Sequence, residues 1–302
     1  MNSSAQTSNK ETRAPRTVSE LIAHYQSTEL SAESNKAYST KEVYGSCIKT
    51  WILPKWGQNL LHEVRTVDVE TRLNTSVDLA NGSKAKIRNV MSAIFSHSMR
   101  YEWLNRNPIA LVRQSAKRER LPDVLTAEEI GALLGELTDP CRTAVLLAAT
   151  TGLRVSELLA LKWSDMDYAK GEIRPVRAIV DHVVGDLKTE ASGKAVPMGQ
   201  ALANALLDWR GRCPYNQDAD YVFGSPEIGG RQPYWPDSLL RKVIRPAAVR
   251  AGITKHLGWH SFRTNTGNPS AGKRGFSEGH TGYSATCIEP IDHGPVRPIG
   301  HC

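Results

Sequence analysis

The sequence predicts a mainly α fold of the α+β class, divided into two domains. Three observations predict it. Apolar residues recur at three- and four-residue spacing through most of the chain, as amphipathic helices require. Short β-rich stretches are confined to a region around residues 172–198. A polar, basic segment at 113–120, followed by Pro122, reads as a linker, and 302 residues suffice for a separate core on each side of it.

Residues 1–15 are rich in Ser, Thr and Asn without apolar periodicity and are expected to be a disordered tail. Thr17-Val18-Ser19-Glu20 has capping character, and Val18, Leu21, Ile22 and Tyr25 follow at helical spacing. A second helix is predicted over 41–51, with Val43, Tyr44, Cys47, Ile48 and Trp51 inward and Pro54-Lys55-Trp56-Gly57 as its break. Val67-Asp68-Val69-Glu70 opens a third helix. Asn81-Gly82-Ser83 caps a fourth over 84–102, whose inward face carries Ile87, Val90, Met91, Ile94, Phe95 and Met99. Its polar side holds Lys84, Lys86 and Arg88, with His97 and Arg100 further along. These side chains could bind phosphates, or form an ordinary solvated face. The first domain is thus an all-helical unit over 16–112.

The linker spans 113–122 and includes Lys117 and Arg118, well suited to crossing a polyanionic backbone. A second domain, 123–263, opens with the capped start Leu125-Thr126-Ala127-Glu128-Glu129-Ile130. The apolar run at 144–149 is stopped by Thr150-Thr151-Gly152, with Gly152 in the place of a left-handed C-cap. Arg154 then begins a helix carrying Leu158, Leu159 and Leu161. Glu157, one turn on, could orient its guanidinium as a phosphate-gripping fork; a plain surface ion pair is the alternative. Short strands are predicted at 172–174 and 178–180. A β-hairpin is predicted to pair 181–187 with 194–198 across Ala191-Ser192-Gly193. A helix over 201–210 turns Leu202, Leu206 and Leu207 inward, and Tyr221-Val222-Phe223-Gly224 is a buried segment. Residues 235–252 hold a basic helix with Arg241, Lys242, Arg245 and Arg250.

The net charge of +7 and pI near 9.2 favour a polyanionic partner. No apolar run reaches membrane-spanning length and Met1-Asn2-Ser3-Ser4-Ala5 lacks a signal-peptide core, so a cytoplasmic location is expected. Five widely spaced cysteines (Cys47, Cys141, Cys213, Cys287, Cys302) read as free thiols, and neither a metal nor another cofactor is expected.

Three motifs in order carry a specific resemblance. Thr151-Gly152-Leu153-Arg154-Val155-Ser156-Glu157-Leu158 resembles the first arginine box of the tyrosine recombinases, the phage-integrase family. Asp186-Leu187-Lys188-Thr189 followed by Lys194-Ala195-Val196-Pro197 resembles its lysine-bearing hairpin, and His260-Ser261-Phe262-Arg263 its His-x-x-Arg box. The resemblance implies a helical SAM-like core-binding domain that clamps double-stranded DNA, then a mixed helical catalytic domain. It implies tetrameric assembly on DNA, and strand breakage and rejoining through a 3′-phosphotyrosyl link. Arg154 and Arg263 would neutralise the pentavalent phosphate, His260 would assist there, and Lys188 would protonate the departing 5′ oxygen. Lys84, Lys86, Arg88, Lys117, Arg118, Arg241 and Lys242 are the expected DNA contacts.

The resemblance stops at residue 263. Residues 264–302 contain seven glycines, four prolines and no leucine, a composition that excludes the leucine-rich helices the family has there. Tyr283 is the sole tyrosine in the segment and lies too near Arg263 for the nucleophile; Glu289 stands where a tyrosine should follow Gly279-His280-Thr281. Read one nucleotide later, permitted codons for 269–281 give Leu-Leu-Gln-Ala-Asn-Gly-Asp-Ser-Val-Lys-Val-Ile-Gln. Those for 291–297 give Ser-Thr-Met-Asp-Leu-Tyr-Ala. The tail therefore reads as frameshifted, so the chain is expected to bind DNA without forming a covalent adduct. Apolar surface near Leu146, Leu158 and Phe262 is expected to be left uncovered.

Overall fold

The computed structural model describes residues 14–115 and 123–263. The expectations for the first residues, for Lys117 and Arg118, and for the tail with Tyr283 lie outside the described residues. Two hydrophobic clusters form, one from residues 18–112 and one from residues 125–262.

The first cluster is built by helices. α1 (Val18–Glu29) starts where Thr17 Oγ1 accepts the Glu20 amide, and it buries Val18, Leu21, Ile22 and Tyr25. α2 (Tyr38–Cys47) runs through a π-helical turn, Ile48–Ile52, into α3 (Leu53–Trp56), so Pro54 does not break this helix as predicted. Proline lacks an N–H and crowds the carbonyl four residues back; widening the preceding turn, with Leu53 N–H bonded to the Ile48 carbonyl, accommodates both effects. The inserted residue rotates the buried face to Ile52 and Trp56. Val43, expected inward, is 41% exposed and lines an open groove with Trp51, Lys86 and Ile87.

α4 (Thr66–Thr75) and α5 (Asn81–Arg100) complete this unit, with α5 packed on α1 and α2. The last turn of α5 turns His97 and Ser98 inward toward α1, which leaves Met99 outside, contrary to expectation. His97 is therefore not a phosphate ligand on the surface. Its Nε2 lies 2.9 Å from His24 Nδ1, its Nδ1 3.4 Å from Glu29, and Tyr25, Tyr101 and Trp103 surround the pair. Arg100 is likewise occupied, in an ion pair with Glu29 at 2.7 Å. Burial, then the neighbouring His24, lowers the His97 pKa. With the folded value below the unfolded one, the unfolded chain binds more protons, so stability present above about pH 6.5 is lost as the pH falls. Glu29, held down to about 2 by Lys36 and Arg100, stays ionised throughout that window. Melting should therefore fall between about pH 7.5 and about pH 5.5, and fall less in His97→Gln; equal slopes would refute this assignment.

In the second unit, α6 (Ala127–Gly135) carries a complete capping box between Thr126 and Glu129. α7 (Cys141–Thr151) is central, contacting α6, α8 (Val155–Leu159), α9 (Gln200–Arg212) and α12 (Trp259–Arg263). α9 buries Leu202, Leu206 and Trp209, so Leu207, expected inward, points away and is 48% exposed. Val222 and Phe223 are fully buried. α10 (Pro236–Leu239) passes through a second π-helical turn, Leu240–Ile244, into α11 (Arg245–Arg250), again one turn before a proline, Pro246.

The strands differ from expectation. β1 (Met166–Asp167), β2 (Glu172–Ile173) and β5 (Val196–Pro197) form one antiparallel sheet in the order β1-β2-β5. β3 (Ala178–Val180) pairs with β4 (Val183–Gly185), so residues 183–185 do not pair with 194–198. The two-residue turn Asp181-His182 adopts φ values of 49° and 63°, the left-handed geometry that matches strand twist and closes the shortest loop. The expected exposure near the tail is also corrected: Leu158 and Phe262 are fully buried and Leu146 is half-buried. Cys47, Cys141 and Cys213 are buried free thiols, and burial pushes the Cys141 pKa up to about 11. No helix among the described residues is long and apolar enough to cross a membrane.

Candidate functional site

The site begins where α7 ends. Gly152 adopts φ 66° and donates to the Ala148 carbonyl, which turns the chain sharply. Leu153 is buried, and Arg154 becomes the N-cap of α8. Glu157 is 3% exposed and holds Arg154 twice: one carboxylate oxygen accepts the Arg154 amide at 2.9 Å, the other Nη1 at 2.6 Å. A buried carboxylate is tolerated here because both oxygens have donors. The i,i+3 ion pair of the plain alternative is therefore present, with its carboxylate buried rather than on the surface.

Ser192 Oγ accepts a second bond from Arg154 Nη1 at 2.5 Å. Both hydrogens of Nη1 are thereby used. Among the described residues, Nε and Nη2 have no hydrogen-bond partner, and the side chain is 29% exposed. Those two nitrogens form the edge of the guanidinium that can take two oxygens of one phosphate.

Lys188 is exposed in the connection between β4 and the 3-10 turn Glu190–Gly193. The 3-10 turn that follows brings Ser192 to Arg154, so the lysine-bearing segment and the arginine adjoin. α12 places Trp259 and Phe262 in the core, with Trp259 Nε1 donating to the Pro236 carbonyl at 3.0 Å. His260 and Arg263 share another side of this short helix, exposed and half-buried respectively. The carriers of Arg154 and of His260 and Arg263 thus both pack on α7. Among the described residues, neither Lys188 nor His260 makes a hydrogen bond or an ion pair.

The basic candidates elsewhere divide. Lys86 is exposed and Lys84 half-buried on α5, and Arg241 and Lys242 are exposed on the second π turn; none forms an ion pair among the described residues. Arg88 has a structural tie, donating to the Ala110 carbonyl at 2.8 Å. Arg245 and Arg250 do as well, through the Leu257 carbonyl and Glu136.

Sequence reasoning missed two supports. Ser192 carries no motif of its own beyond its place in a turn. The Asp165 carboxylate accepts two bonds from Arg177, at 2.7 and 3.1 Å, and Arg177 also donates to the Ala160 carbonyl at the end of α8. Nothing in the spacing of these residues marks them as partners.

Residues 123–268 match the phage integrase family. The chain is 28% identical over 286 residues to the tyrosine recombinase XerD of Halalkalibacterium halodurans, covering 88% of this chain and 89% of that one. In fold it is similar to the Tn1549 transposon integrase in complex with a circular intermediate DNA (TM-score 0.70, 16% identity, 87% of this chain and 89% of that). It is also similar to a lambda integrase tetramer bound to a Holliday junction (TM-score 0.65, 20% identity, 86% and 71%). The ordered arginine, lysine and histidine-arginine motifs, the fold that carries them and these matches agree: residues 123–268 form a tyrosine-recombinase domain of the phage integrase family.

Proposed function

We propose that this chain clamps double-stranded DNA and grips one phosphodiester with Arg154 and Arg263, yet does not cut it. The family's work is site-specific DNA recombination, and the fold relatives described above are complexed with DNA. One observation carries the reading: Arg154 is fixed by a buried Glu157 with its Nε and Nη2 edge left for an anion.

In this reading residues 16–112 are the core-binding half of the clamp, 113–122 the basic linker and 123–263 the catalytic domain. The separate hydrophobic clusters on either side of the linker support that division. The two guanidiniums hold the non-bridging oxygens by preorganised charge, His260 adds a hydrogen bond, and Lys188 stands by the leaving 5′ oxygen. Lys84, Lys86, Arg241 and Lys242 supply further backbone contacts, with assembly as a tetramer on DNA. Residues 264–302 are an out-of-frame tail without a nucleophile, Tyr283 included. The composition of that segment favours a non-catalytic occupant of recombination sites over a working recombinase.

Incubating the chain with duplex DNA carrying its site, then denaturing in SDS, tests this. A retarded native complex with no SDS-resistant adduct is expected, and Arg154→Ala should weaken the complex about tenfold, near 1.4 kcal/mol. A covalent adduct would overturn the defect. Unchanged affinity in Arg154→Ala would overturn the phosphate grip.

A further inference from the structure

The phosphate reading leaves Ser192 unexplained. Its hydroxyl accepts from Arg154 Nη1 at 2.5 Å and lies 3.1 Å from Thr189 Oγ1, while its amide donates to the Thr189 carbonyl at 3.0 Å. Thr189 is the neighbour of Lys188. A continuous chain of polar contacts therefore runs from buried Glu157 through Arg154 and Ser192 to Thr189, one residue from the exposed ammonium.

Each link has a physical reason. Glu157 and Ser192 together use both hydrogens of Nη1, which fixes the plane of the guanidinium and leaves its other edge outward. A serine hydroxyl can accept from a cation and still share its proton with a second hydroxyl, so it joins Arg154 to Thr189 without a charge of its own. Among the described residues Lys188 has no ion pair to place it, and a lysine is a point charge on a flexible stem. Without such a tether it samples a wide volume. Leu187 adds packing, lying against Gly193 so closely that a Cβ there would meet Leu187 Cδ1 at 3.3 Å.

We propose that Ser192 is a positioning residue that fastens the Lys188-bearing segment to the Arg154 guanidinium, delivering the lysine to the phosphodiester the arginine grips. The inference rests on the DNA reading given above and deepens it: occupancy of one phosphate by Arg154 and by Lys188 is geared through a single uncharged hydroxyl.

Salt dependence supplies a readout that a merely structural serine would not move. Each phosphate neutralised by a cation contributes about 0.9 to the slope of log K against log salt. We would titrate the full chain with a mixed-sequence DNA duplex of about 30 base pairs at several salt concentrations. Lys188→Ala should lower the slope by about 0.9, and Ser192→Ala should lower it by a similar amount although it removes no charge. The double variant should fall no further, and Ser192→Thr should restore the parent slope. Hydrogen exchange of the free protein checks folding: Ser192→Ala should speed exchange over residues 187–193, by roughly tenfold, and leave α7 and α8 unchanged.

The outcomes separate. If Lys188→Ala lowers the slope and Ser192→Ala does not, the lysine reaches the phosphate unaided and the positioning role is overturned. If the double variant falls by the sum of the singles, the two residues act independently and it is overturned as well. If the parent chain shows no salt-linked affinity for duplex DNA, the DNA reading itself fails and takes this inference with it.

Discussion

Glu157→Ala is expected to destabilise the protein by about 3 kcal/mol, the range for breaking a buried ion pair by removing one member. The carboxylate is 3% exposed and takes both the amide and Nη1 of Arg154. Removing it leaves the amide of Arg154, the N-cap of α8, without its acceptor and opens a small cavity beneath the helix. The value stays at the lower end of that range because Arg154 is itself partly exposed and can recover water. Glu157→Gln should cost less, about 1 kcal/mol, since its amide oxygen still accepts one bond. Urea unfolding of the two variants checks the order. If Gln and Ala lose equal stability, the double acceptance by the carboxylate is not what holds the turn. Duplex affinity should follow the same order, because an untethered guanidinium loses its preorganisation along with its partner.

A comparable loss is expected from Gly230→Ala. Gly230 has φ 73°, and a Cβ built there would lie 2.4 Å from Cδ1 of Tyr215 and 2.5 Å from its Cγ. The left-handed backbone alone costs alanine roughly 1–2 kcal/mol, and overpacking a ring adds roughly 1–3 kcal/mol. A loss of about 3 kcal/mol in urea unfolding is the expected sum. Gly252 separates the two terms: its φ is 76°, yet nothing lies within 4 Å of its Cβ position, so Gly252→Ala should cost only about 1 kcal/mol. In a Tyr215→Ala background the steric part of the Gly230→Ala effect should vanish and the backbone part persist. An undiminished effect there would place the cost elsewhere. The position matters beyond stability, since the segment from Gly230 runs into Pro236, whose carbonyl holds Trp259 on the helix that bears His260 and Arg263.

Much of this architecture is legible in the chain because its determinants are local. Thr17 with Glu20, Thr126 with Glu129 and Gly152 each act within a few residues, and helix starts and stops follow from them. The i and i+4 apolar positions of α1 and α5 identify the buried faces for the same reason. Where reading fails, a distant partner decides. Pro54 ends a helix by local rule, but packing of Ile52 and Trp56 makes a widened turn worth its irregular hydrogen bonding. Val183 to Gly185 has two possible partners of similar propensity. The shorter loop wins because its closure costs less entropy and because β3 lies on α8. His97 has the sequence context of a solvated helix residue and is buried only because α1 brings His24 against it.

The site divides along the same line. By itself the sequence determined the family, the order of its arginine, lysine and histidine-arginine motifs, the mainly α class and the abrupt change of composition after residue 263. Each of these is carried by residue type and spacing, which need no partner to be read. Only the tertiary structure decided that Glu157 is buried beneath Arg154, that Ser192 meets the same guanidinium from across the chain, and that α12 shares α7 with α8. Some of those contacts join residues more than a hundred positions apart. Hydrogen bonds and packing depend on distances that pattern along a chain does not encode, so they exist only once the core has closed.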